Sequence, residues 1–312
     1  MTTRFKAFTV PKEGASPVGE SKHRRIGFTL AAIGLVLAVV SLIANIGAAN
    51  ADSSLEAAEI GAWSFGLTTL AFGTIKLGIG VILIGILVRL WIRVTSVTDA
   101  MPGLKGPGTP DSPRGAVDTE YGAAFETENV PDPLPIHKMA RTMWFPMLVM
   151  GYMSVAAGFF VSLAWSASVA DGTQQAAVAW TNGLQFLGEG LLLAGISFLL
   201  GSILASLREG GGSVQESMGL AVRTLRMPRT AKLFVAFMVA GLMVSMAQFV
   251  LYAIAAGVTN PQSFAAWTAW LGPFREFGLG LLLAGIVLAL VTIGNVLGFQ
   301  FSRIREIVAT GK

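Results

Sequence analysis

Cysteine is missing altogether from the 312 residues. Its absence removes disulfides, thiolate-bound zinc, iron–sulfur centres and thiol nucleophiles together. Histidine is nearly as scarce, with only His23 and His137, both outside the apolar runs. Membrane haem, di-iron and copper sites need imidazole on the helices that carry them, so no resident metal or other cofactor is expected. H-E-x-x-H and G-x-S-x-G are also absent. The Gly-x-Gly triplets inside the apolar runs lack the strand-to-helix turn that a dinucleotide site requires. A hydrolase built on Lys76 would need a serine tied to it by spacing, and there is none. No enzymatic activity is expected of this chain.

Charge is the third scarcity. Asp, Glu, Lys and Arg make up 13% of the residues, against roughly a quarter in a soluble domain. What fills the chain instead is apolar: 53% hydrophobic residues and a mean hydropathy of +0.66. A bilayer core about 30 Å thick is crossed by roughly 20 apolar residues in a helix. Six segments are long enough, at 26–47, 67–94, 143–167, 184–207, 233–258 and 274–301. Backbone groups in hydrocarbon must bond within their own segment, and these runs lack the period-two alternation of barrel strands. The expected fold is all-α, a polytopic membrane protein with six transmembrane helices.

Basic residues orient it. Of the 22 Lys and Arg, all but Lys76 and Arg275 fall in or beside four segments. These are the N-terminal tail, the connections after the second and fourth spans, and the C-terminus. The other three connections carry Asp52, Glu56, Glu59 and Asp171 instead. That asymmetry puts both termini in the cytoplasm of a multi-pass protein of the plasma or inner membrane. The pI of 9.6 is then topological rather than a sign of nucleic-acid binding. Tryptophan agrees, because all seven sit near span ends, the level it prefers. Ala49-Asn50-Ala51 offers a small-residue cleavage pattern. The apolar stretch before it is longer than a signal-peptide core, so the first span is expected to be retained.

An internal repeat organises the spans. The pattern G-x-G-(V/L)-(I/L)-L-(I/A)-G-I begins at Gly78, Gly188 and Gly278, and residues 190–196 recur unchanged at 280–286. Gly151 and Met153 meet Gly241 and Met243 at the same 90-residue shift. The chain therefore reads as three hairpins in parallel repeat: 26–94, 142–208 and 233–302. Around them lie tails at 1–25 and 303–312, a Pro/Gly-rich linker at 95–141 and a basic loop at 209–232. The loop would rest on anionic headgroups. The linker has no periodicity and is expected to be disordered, available to a cytoplasmic partner at 95–138.

The motif glycines are read as packing positions. Gly78 and Gly85, Gly188 and Gly195, and Gly278 and Gly285 mark one face of each helix. Gly80, Gly190 and Gly280 open the opposite face, so two neighbours can approach closely. Ser53 with Glu56, and Asn260 with Pro261, look like helix starts. They are expected to begin short interfacial helices, separate from the spans that follow.

Ionisable groups inside spans are costly, which makes them the best functional pointers. Lys76, Glu189, Arg275 and Glu276 all lie on the motif helices, and Gln185 is the repeat equivalent of Arg275. Their expected place is the outer half of the second, fourth and sixth spans, converging as two cations and two anions. They would either fix the bundle's register as salt bridges or form a polar-ligand or proton-relay site, with Asn182, Gln248 and Tyr252 at similar depth. The expected function is a non-catalytic membrane-embedded subunit or scaffold of a larger complex. The alternative is a channel or transporter for a small solute that uses this cluster. Expected partners are the lipid bilayer and other membrane subunits or further copies of the chain.

Overall fold

A computed structural model describes residues 18–100, 125–127, 135–169, 174–217, 223–225 and 228–310. Most of the 95–138 segment proposed to dock a partner, the first 17 residues and Asp171 lie outside the described residues. Six helices dominate: α1 Val18–Ala49, α2 Ser54–Ala100, α3 Pro135–Ser168, α4 Gln175–Ser217, α5 Arg229–Ala255 and α6 Pro261–Thr310. All six are long and apolar enough to cross a membrane. The architecture suits a multi-pass membrane protein.

The helices overrun their apolar stretches. α2 has 47 residues and α6 has 50. At about 1.5 Å per residue each is more than twice the length that crosses a bilayer core. The expected separate interfacial helices do not exist, because those segments are the first turns of α2 and α6. No proline interrupts α2, and Pro273 is carried inside α6. The capping residues start these long helices directly: Glu56 N–H donates to Ser53 Oγ at 3.1 Å. Asn260 Oδ1 accepts from Gln262 N–H at 2.9 Å and Ser263 N–H at 3.2 Å. Asn260→Ala should therefore cost about 1 kcal/mol, and Asn260→Asp should not. Thermal midpoints in detergent would register the difference.

Consecutive helices pair α1 with α2, α3 with α4, and α5 with α6, and α4 lies at the centre, touching α2, α3, α5 and α6. Its most apolar window is 78% buried, against 17–33% for the other five spans. Leu192 and Leu199 of α4 anchor the main core, with Leu148 and Val155 from α3, Phe234 from α5 and Leu282 from α6. A second cluster, nearer the short connections, joins Phe186, Tyr252 and Leu271. The first and last pairs flank the central one, and α1's only substantial neighbour among the described elements is α2.

Lipid is as apolar as leucine, so close backbone approach and hydrogen bonds drive the packing. At the α3–α4 crossing, a Cβ on Gly188 would stand 2.6 Å from Gly151 O and 2.7 Å from Val155 N. Hydroxyls add links between helices: Ser41 Oγ donates to Ser64 O at 2.9 Å, Ser154 Oγ to Leu184 O at 2.7 Å and Ser166 Oγ to Glu59 O at 2.9 Å.

The architecture is all-helical as expected, with one small addition: β1 (Phe125–Thr127) pairs antiparallel with β2 (Arg223–Leu225), Glu126 opposite Thr224. This two-stranded ribbon ties the linker to the basic loop. Extended segments can satisfy their backbone groups by pairing even where no apolar face exists to seed a larger sheet.

Candidate functional site

Glu189 is placed by the glycines on either side of it. Gly188 lets α3 close on α4, and Gly190 admits Ser245 of α5. The carboxylate reaches both remaining neighbours, α2 and α6. Lys76 Nζ of α2 lies 3.1 Å from Glu189 Oε1, and Arg275 Nη2 of α6 donates to Glu189 Oε2 at 3.1 Å. One carboxylate thus joins all three helix pairs. The Arg275 guanidinium also stacks 3.7 Å above the centre of the Phe186 ring, and its Nε lies 3.7 Å from Glu276 Oε1. The Glu189 side chain is only 6% exposed, and that of Glu276 is 71% exposed. Glu276 sits at the edge of the cluster; Glu189 is its centre.

Gly151 lies at the middle of α3 and stands against Gly188, so the next residue, Glu189, is level with the middle of that helix. The apolar run that marks the fourth span begins at 184, whereas α4 begins nine residues earlier at Gln175. Burial of Glu189 raises the cost of leaving it unpaired.

Comparison with protein-family models, curated proteins and solved structures gives no match. The chemistry of the site must speak for itself.

Gln185 does not join the ions. It lies one turn before Glu189, fully buried, and packs against Gly158 of α3 and beside Gly66 of α2. Among the described residues neither end of its amide has a hydrogen-bond partner, and nor has Thr181 Oγ1 one turn further on. Such burial costs about 1–3 kcal/mol per group. Asn182 bonds back to Val178 O, and Gln248 Nε2 donates to Leu271 O at 3.3 Å, so both serve packing. Tyr252 stacks on Phe186, the ring beneath Arg275. Thr181 and Phe186 escaped the sequence reading. The four-residue spacing of Thr181, Gln185 and Glu189 was the available signal, since it aligns them on one helix face.

The motif glycines divide as follows. Gly78, Gly188 and Gly278 meet the partner helix of their own pair, and so do Gly85, Gly195 and Gly285. Gly80 meets Leu148 and Gly190 meets Ser245, each from the next pair. Gly280 meets nothing within 4 Å among the described residues. Among the described residues, no group of His, Cys, Asp and Glu could hold a metal ion.

Proposed function

We propose that this chain is a non-catalytic, membrane-embedded subunit or scaffold of a larger complex. It is built from three hairpins in parallel repeat, and both termini lie on the cytoplasmic side of the plasma or inner membrane. One observation carries the reading: both oxygens of Glu189 are engaged, by Lys76 and by Arg275. These buried charges are spent on holding the helix pairs together. The basic tails and loops support the orientation. On this reading, extraction with native lipid should release the chain with other polypeptides in fixed stoichiometry. A particle containing this chain alone would refute it.

A second reading, transport of a small solute or protons, is favoured by the unpaired Gln185 amide and Thr181 hydroxyl in line with Glu189. These groups would solvate a polar species moving toward the carboxylate. Purified protein in liposomes should then carry a flux that Glu189→Gln abolishes while the variant remains folded. No flux from the parent protein ends that reading.

A further inference from the structure

One packing contact recurs along the chain and then stops. Gly80 of α2 receives Leu148 of α3, and Gly73, seven residues earlier, receives Val155; a Cβ at either glycine would lie 3.0 Å from the incoming side chain. On α4, Gly190 and Gly183 receive Ser245 and Tyr252 of α5 in the same manner. Each even-numbered helix thus accepts the first helix of the next pair along a face opened by glycine. The corresponding position on α6 is Gly280, whose surroundings are open among the described residues. Phe277, Val287 and Leu290 are exposed around it. Glu276 occupies the repeat position of Lys76, yet it faces outward beside Gly280 while Lys76 turns in to Glu189. The cation of Glu276 within the chain, Arg275, stands 3.7 Å away and is shared with Glu189, so this exposed carboxylate has room for a second cation.

The other end of the array is open in the complementary sense. A Cβ on Gly27 of α1 would lie 2.9 Å from Gly78 O, just as one on Gly151 of α3 would lie 2.9 Å from Gly188 O. This matches α1 to α3, with Gly27 in register with Gly151. In that register Phe28 and Leu42 occupy the positions of Tyr152 and Ser166. Those two residues join α3 to the preceding helix, through Thr74 and Glu59 O. Among the described residues no helix precedes α1, and Phe28, Leu35 and Leu42 are exposed. Leu148, the residue seated on Gly80, corresponds to Arg24.

We infer that α6 of one copy receives α1 of a second copy, in a head-to-tail interface that repeats the α2–α3 contact between molecules. The helices then run antiparallel, as they do within the chain, so both copies sit the same way up in the membrane. Arg24 of the incoming copy arrives over Gly280, one turn from Glu276, and neutralises it. A two-fold α6–α6 contact would instead set two Glu276 carboxylates against each other. A head-to-tail contact closes a ring where its rotation permits.

The inference rests on the repeat-built scaffold described above and has its own test. The chain has no native cysteine, so two engineered ones report cleanly. A Phe28→Cys copy and a Phe277→Cys copy, expressed together, should form a disulfide-linked dimer on oxidation in native membranes, and neither alone should. Arg24→Glu or Glu276→Arg should each lower that yield at least about tenfold, and the two together should restore it. Absence of the mixed dimer, or a stronger dimer from either copy alone, overturns the inference: lipid, another protein or a two-fold contact then covers α6. Loss of other polypeptides from the extracted particle with the cross-link intact would sink only the scaffold reading.

Discussion

Glu189→Leu should destabilise the folded protein by about 3 kcal/mol, the lower end of what removing one partner from a buried ion pair costs. The substitution leaves Lys76 and Arg275 facing each other across a gap with no anion between them. Both side chains are about one-fifth exposed, at 21% and 22%, so partial solvation holds the loss to that lower end. Arg275 keeps Phe186 beneath it and Glu276 at 3.7 Å, whereas Lys76 loses the one ion pair it makes among the described residues. The companion variant sharpens the result. Lys76→Met, Glu189→Leu and Arg275→Met together remove every charge of the triad and should recover most of the loss, because apolar replacement of a complete buried ion set is often neutral or better. Denaturation midpoints in mild detergent measure both. A single variant as stable as the parent, or a triple variant as unstable as the single, would show that the triad does not clamp the bundle.

The second large effect is at Gly188. Gly188→Leu should cost about 3 kcal/mol or more, since overpacking that must move backbone exceeds the usual range for extra methylenes. The obstructing atoms are Gly151 O and Val155 N at 2.6 and 2.7 Å, and neither can rotate away. Parting α3 from α4 also breaks the Ser154 to Leu184 bond at 2.7 Å and moves Glu189 off its cations. Gly280→Leu is the matched control. The motif position is the same, but among the described residues nothing lies within 4 Å, so the stability of the single chain, dissociated from any second copy in detergent, should change by less than about 0.5 kcal/mol. Equal losses at the two sites would contradict the packing described.

Much of the architecture was legible in the residues. A run of apolar side chains long enough to cross a bilayer has few alternatives to a helix, and all six were visible on that ground. The capping residues Ser53 and Asn260 also marked true helix starts. Lys76, Glu189 and Arg275 stood out because charges are rare in apolar runs, and the structure brings these three together. Hydropathy did not show how far the helices extend ahead of their apolar runs. The opening turns of α4 and α6 are Ala-, Trp- and Thr-rich, neither apolar enough to extend a span nor polar enough to end a helix. Nor could composition single out α4 as the hub. Its hydropathy, 2.1, falls inside the 1.8–2.6 range of the six spans, because lipid and protein interior select the same side chains. The paired segments of β1 and β2 are three residues each, too short to show alternation.

The most direct test of the scaffold reading is the composition of the particle that the triad-free triple variant yields on detergent-free extraction. The same polypeptides in the same stoichiometry as the parent are predicted, since on that reading the charges hold the bundle together rather than act on a substrate. A parent particle that contains this chain alone, and carries a flux the folded triple variant has lost, would contradict it.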